Sequence, residues 1–225
     1  MKKSLVLLIA LFTAGLLSAQ RLGVQGGYSL STPFIGTEDN AVDFNARSGS
    51  GFHIGALFDW DVTNRWGFEA AVLYNMRTAH FNMAYRSDTT TIFNREVFYL
   101  DIPLHFTVHF PVKKTRVSVF LGPSFNVGLH GKDIAWLNIP TKKPVSLEKD
   151  VFGKEKPLQR FDLSAELGFS VEYRKMLMSA SYELSLLNTA YKNYTYTFSL
   201  PPTSVPYYYQ GVFKLSVAYL FDLTK

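Results

Sequence analysis

Eight separate stretches of this sequence alternate apolar and polar residues with a period of two, and that alternation constrains the fold more than any other feature. A strand, whose successive side chains point to opposite faces, is the regular element with that period. In one stretch Phe98, Leu100, Ile102, Leu104, Phe106, Val108 and Phe110 oppose Asp101, His105, Thr107 and His109. In another Phe161, Leu163, Ala165, Leu167, Phe169, Val171 and Tyr173 oppose Asp162, Ser164, Glu166, Gly168, Ser170 and Glu172. The other six follow the same rule, and no helical period of any length appears beyond the first twenty residues.

The links between the stretches also alternate. Those after the second, fourth and sixth are short, around Asp61 to Arg65, Pro111 to Thr115, and Arg174 to Lys175. Those after the first, third, fifth and seventh are long. Short turns at one end and long loops at the other are the wiring of an outer-membrane barrel, with turns in the periplasm and loops outside the cell. The expected fold is therefore all-β: an eight-stranded antiparallel up-and-down transmembrane β-barrel with both termini in the periplasm. A monomeric barrel is expected.

Residues 1–19 read as a cleaved signal peptide. Lys2 and Lys3 precede an apolar run from Leu5 to Leu17, and Ser18-Ala19 supplies the small residues of a cleavage site. The run is too short for a spanning helix, which needs about twenty apolar residues. Residues 20–225 then form one barrel domain. Without Lys2 and Lys3 the 23 basic residues fall to 21 against 18 acidic ones, a charge of +3 and too weak for a nucleic-acid footprint. The chain has no cysteine, which excludes disulfides, thiolate metal sites and a thiol nucleophile.

Residue size decides which face meets lipid. An eight-stranded barrel has an interior just wide enough for its own side chains. The apolar face is dominated by Phe, Leu, Tyr and Trp, which would overfill that space, whereas the polar face is rich in Gly and Ser. The apolar face therefore points outward. Trp60, Trp66, Phe110, Tyr173 and Phe221 all lie on it next to a short turn or the C-terminal end. They read as the periplasmic aromatic girdle.

The segment Phe98-Tyr99-Leu100-Asp101-Ile102-Pro103-Leu104, with Tyr182-Glu183-Leu184-Ser185-Leu186-Leu187-Asn188, resembles the PorT-like outer-membrane β-barrel family common in Bacteroidetes. The Tyr-Leu-x-Ile-Pro at Tyr99 to Pro103 is its most specific element. The resemblance implies an eight-stranded barrel and an association with protein secretion across the outer membrane. It supplies no catalytic residue and no cofactor.

The inward set contains Asp59, Glu69, Asp101, Glu166, Glu172 and Glu183 with Arg77, Arg174, Lys214, His53, His105 and His109. Taking Arg174-Lys175 as a two-residue turn makes Glu166 and Glu183 direct neighbours across two strands. Two such carboxylates repel unless a cation sits between them, and Lys214 or Arg77 is the expected cation. The set reads either as an acid/base pair or proton path, or as a polar network, Asp59, Glu69, Arg77, Asp101, His105, Glu166, Glu183 and Lys214, that fills the lumen. His105 and His109 lie four strand residues apart, roughly 13 Å, too far to share a metal. Pro103 and Pro123 fall inside strands, where proline removes a ladder hydrogen bond, and a local distortion is expected there.

Three functional readings stay open. A lipid A-modifying enzyme would need a nucleophile, a base and an acid on the outer wall near the outer leaflet, and Ser48, His80 and Glu96 have the parity and the height. A channel is disfavoured by a filled lumen. An interaction component of the envelope, working through its loops, would use two surfaces. The Gly131–Gln159 loop carries six lysines, Lys142, Lys143, Lys154 and Lys156 among them, against four acids, and suits lipopolysaccharide phosphates. The last loop carries Tyr191, Tyr194, Tyr196, Phe198, Tyr207, Tyr208 and Tyr209, an aromatic density that suits contact with a protein partner.

Overall fold

In the computed structural model the described residues are 21–36, 42–85, 89–138, 145–153, 156–191, 195–196 and 203–223. They form eleven strands: β1 Arg21–Gly36, β2 Val42–Asp61, β3 Trp66–Tyr85, β4 Thr89–Val112, β5 Thr115–Asn138, β6 Val145–Asp150, β7 Phe161–Tyr173, β8 Met176–Ser185, β9 Thr195–Tyr196, β10 Thr203–Ser204 and β11 Tyr207–Asp222. Eight of these close a ring in the order β4-β3-β2-β1-β11-β8-β7-β5, with β5 returning to β4, every pair antiparallel. Strand β6 lies on the part of β5 that rises above β7, and β9 and β10 make a separate small hairpin. The eight-stranded up-and-down barrel is thus the fold. The leader assigned to residues 1–19 lies outside the described residues.

The ring is staggered. The register passes from Arg21 to its partners Asp59, Glu69 and His105, crosses to Gly122 in the register that Pro103–Ser124 and Phe106–Leu121 set on either side, and goes on through Glu166, Glu183 and Val212 to return to β1 at Ser31. Closure ten residues out of step, Arg21 to Ser31, requires the strands to tilt, by roughly 40° for a small barrel. The same path threads Arg21, Asp59, Glu69, His105, Glu166 and Glu183 onto one rising line.

Two periplasmic turns have two central residues, each with its first in the left-handed region: Lys113 at φ 55° and Arg174 at φ 58°. That geometry matches the right-handed twist of the flanking strands. The Arg174 turn sets the register in which Glu166 faces Glu183. Arg174 itself is exposed, its guanidinium 5.3 Å from the Tyr173 ring centroid, so its expected place among the inward charges is corrected. A turn residue is free of the strand's alternation and goes to water.

Beyond the lipid belt the strands continue where long loops are expected. Only residues 37–41 separate β1 from β2, and only 86–88 separate β3 from β4. Here the two faces exchange character. Ala79, Phe81, Phe93, Val97 and Ala135 point inward and are buried, while Arg47, His80, Asn82, Glu96 and Lys132 point outward and are exposed. Lipid rewards an apolar outside; water rewards an apolar inside.

Pro103 and Pro123 interrupt the ladder without slipping it. Pro103 pairs with Ser124 and Phe106 with Leu121 in one register, while Leu104 and His105 between them lack ladder partners on β5. The register shifts fall elsewhere, between Ser48 and His53 on β2 and at Leu129 on β5, where Phe98 pairs with His130 but Tyr99 with Gly128.

Candidate functional site in the lumen and at the extracellular end

The interior is filled in layers from the periplasmic end upward. At the bottom Arg21 and Arg116 tie together the acids of two strands, Asp59 and Asp61 on β2 and Glu172 on β7. Arg21 contacts Asp59 and reaches Glu172 at 2.5 Å, and Arg116 reaches Asp61 at 2.6 Å, Glu172 at 2.7 Å and Asp59 at 2.8 Å. His109 joins the ring, with Nε2 3.0 Å from Asp61 and Nδ1 2.8 Å from the Ser118 hydroxyl. Above it Leu57, Ala71, Leu73, Leu177, Ala218 and Leu220 form an apolar layer inside the barrel.

The central layer is ionic. Lys214 Nζ donates to Glu166 at 2.9 Å and to Glu183 at 2.8 Å, standing between the two facing carboxylates. Arg77 donates to the other oxygen of Glu183 at 3.0 Å and to Asp101 at 2.9 Å. Asn75 also donates to Asp101, at 2.7 Å, and Asn126 to Glu183 at 2.7 Å. His105 lies 3.3 Å from Glu69 and 3.4 Å from Glu166 and stacks on Phe120 with ring centroids 4.6 Å apart. His53 bridges the hydroxyls of Ser29 and Ser216 at 3.0 and 2.8 Å. All of these but Glu69 are buried, and partners of this number are what buried charges require. Beside them is a cavity with room for about one water, lined by Glu69, His105, Glu166 and Lys214. Among the described residues no group of three His, Cys, Asp or Glu could hold a metal ion.

The upper layer closes the mouth. Phe152, from the segment after β6, packs edge-on against Tyr99 with centroids 5.7 Å apart. Its ring lies so close to Gly128 that a Cβ there would meet it at 2.3 Å, so only glycine leaves room for the ring. Backbone bonds hold the segment down: Val151 N to Gly131 O at 3.1 Å, Leu158 N to Val151 O at 3.1 Å, and Gln159 N to Thr189 O at 2.8 Å. Phe81, Phe93, Val97, Leu158, Ala190 and Tyr208 complete this cluster. Within it Arg95 and Asp133 form a buried two-pronged pair at 2.8 and 2.7 Å.

On the outer wall Trp60, Trp66, Phe110, Tyr173 and Phe221 are all exposed at the periplasmic end. Trp66 stacks on Phe106 at 5.2 Å, and Phe221 meets Tyr219 edge-on at 4.9 Å. Higher up, Tyr74, Phe98 and His130 form an outward stack, Phe98 and His130 at 4.4 Å. The β5 bulge is what turns His130 outward.

Several expected contacts fall differently. Tyr208 is 1% exposed and faces inward, with the Arg95 guanidinium 5.1 Å from its ring, while its neighbours Tyr207 and Tyr209 point outward. Tyr207 to Tyr209 belong to β11 and not to a loop, and strand alternation divides them. The side chains of Tyr194, Tyr196 and Phe198, and of Lys142, Lys143 and Lys154, lie outside the described residues. Ser48, His80 and Glu96 are exposed but not joined: the Ser48 hydroxyl lies 2.7 Å from that of Thr32, and His80 Nδ1 donates to Asn94 Oδ1 at 2.7 Å. Sequence reasoning missed the Arg21–Arg116 ring, the Arg95–Asp133 pair and the Phe152 seat. Parity along β4 and β5 places Arg95 and Asp133 on the inward face; nothing local marks Phe152.

The profile of the family described as "Outer membrane protein beta-barrel domain" matches residues 18–191. The chain belongs to this family. Its place is the outer membrane. Among solved structures it is similar to Ail, the attachment invasion locus protein of Yersinia pestis, solved with the heparin analogue sucrose octasulfate, at 14% identity and TM-score 0.42 over 90% of this chain and 99% of that one. It is similar to OprG of Pseudomonas aeruginosa at 12% identity and TM-score 0.47, over 91% and 97%. Neisserial surface protein A matches at 12% identity and TM-score 0.42, over 89% and 97%. No curated protein matches the sequence.

Proposed function

We propose that the protein is a non-catalytic, non-conducting outer-membrane barrel, exported by its leader and acting as an envelope component through what it holds outside the cell. One observation carries this reading: the lumen is occupied from end to end by an ionic ring, an apolar layer, an ionic core and an aromatic plug. Among the described residues, no water-filled path crosses such an interior. The chemistry left to the molecule is on its wall and at its extracellular end, where lipid, lipopolysaccharide and a protein partner are the available contacts. The likeness to PorT-like barrels extends the proposal to an accessory part in protein secretion.

Planar-bilayer recording of the purified barrel tests it. Absence of stable conductance steps is expected; large, stable steps sink the reading. A mass shift in lipid A that follows the gene and disappears in Ser48→Ala or His80→Ala would replace it with the enzyme.

A further inference from the structure

Strands β2 to β6 carry an outward face above the lipid belt. His80 lies fourteen positions beyond Trp66 on β3, a rise of roughly 35 Å at about 3.3 Å per residue and a roughly 40° tilt. The apolar band of such barrels is about 25 Å tall. This face therefore looks sideways into the first ~10–20 Å outside the outer leaflet, the layer filled by the sugars of the surrounding glycolipid.

Its residues form two cross-strand rows. Asn45, Asn82, Ile92 and Trp136 are successive partners on β2, β3, β4 and β5, and Arg47, His80, Asn94 and Ile134 make the row beneath. Trp136 is 39% exposed and Ile92 47%, large for side chains that stand in water. Charge does not dominate the face. Glu96, Glu148 and Asp150 stand beside Arg47 and Lys132, and Lys132 is already paired with Glu148 at 3.0 Å. Amides that donate and accept at once, with one large ring among them, suit a hydroxyl-rich ligand better than clustered phosphates. The His80–Asn94 hydrogen bond spends the Asn94 carbonyl and leaves its Nδ2 donors and His80 Nε2 for a ligand. Behind the face Phe81 stacks on Phe93 with centroids 4.5 Å apart, so the sheet presents its side chains from a packed support.

We propose that this face binds the core saccharide of the lipopolysaccharide around the barrel, with Trp136 as the stacking ring and Asn45, Asn82, Asn94 and His80 as the polar contacts. The face continues upward from the lipid-facing belt, so one glycolipid lies against both. This names a partner within the function proposed above and rests on that reading.

The chain has three tryptophans, and Trp60 and Trp66 sit at the periplasmic end. The full-length double variant Trp60→Phe/Trp66→Phe, placed in nanodiscs, leaves Trp136 as the sole reporter. Titration with lipopolysaccharide truncated after its core should shift and quench its emission saturably, and lipid A alone should act at least tenfold more weakly. Asn82→Ala/Asn94→Ala should weaken the response to core-bearing lipopolysaccharide about tenfold while the barrel keeps its heat-dependent gel mobility; Asn45→Ala is the second variant should that pair not fold. Equal responses to lipid A and to core-bearing lipopolysaccharide, no response to either, or undiminished binding by the folded variants overturns the proposal. These outcomes are independent of the conductance that tests the function itself.

Discussion

Glu166 and Glu183 are direct partners across β7 and β8, and both carboxylates are buried in the middle of the barrel. Lys214 on β11 is the cation that Glu166 and Glu183 share, and of these two carboxylates Arg77 reaches only Glu183. Removing a buried partner leaves uncompensated charge at a cost of about 3–5 kcal/mol. Lys214→Met should therefore lower the urea midpoint of the vesicle-inserted barrel, and adding Glu166→Gln should return part of the loss. If Lys214→Met unfolds at the parental midpoint, the central ionic layer is not holding the barrel together.

Phe152 and Gly128 are a second such pair, joining the extracellular plug to the wall. Phe152→Ala should cost about 3–5 kcal/mol locally and open residues 151–158 to a protease added outside. Gly128→Ala should do the same, since its methyl meets the ring. In a Phe152→Ala background the Gly128→Ala change should be nearly silent, because the atoms that collide are gone. Additive effects would mean that the ring is seated elsewhere.

The membrane half of this molecule is legible in the sequence because lipid and a narrow lumen impose opposite demands on alternate residues; the eight strands, the outward Trp60 and Trp66, and the Glu166–Glu183 encounter follow from that period and one turn. Above the belt the same period persists with its sense inverted. Phe81 and Phe93 go inside and His80 and Asn94 outside, so a reading tuned to apolar-outward strands ends the elements at the lipid boundary and takes the rest for loops. The aromatic company of Tyr208 points to a contact surface, whereas parity places it inside. The Phe152 seat depends on a segment crossing the mouth, a long-range relationship that no local pattern carries.

The girdle has a direct optical consequence. In single-tryptophan variants Trp60 and Trp66 should be quenched more strongly by lipids brominated near the carbonyls than by lipids brominated at the chain ends, as befits side chains at an interface. Trp136 should be quenched by neither. Stronger quenching of Trp60 by chain-end bromines would move the periplasmic boundary and with it every height assigned above.

A chain without cysteine permits single thiols to be placed at will. Asn82→Cys stands exposed on the outer face of β3, Phe81→Cys beside it points into the packed interior, and Lys175→Cys lies in a periplasmic turn. On intact cells a membrane-impermeant maleimide should label Asn82→Cys alone. After the outer membrane is permeabilised it should also label Lys175→Cys, and Phe81→Cys should react only on unfolding. Labelling of Lys175→Cys from outside would invert the barrel in the membrane, and labelling of Phe81→Cys in the folded protein would contradict the exchange of faces above the lipid belt.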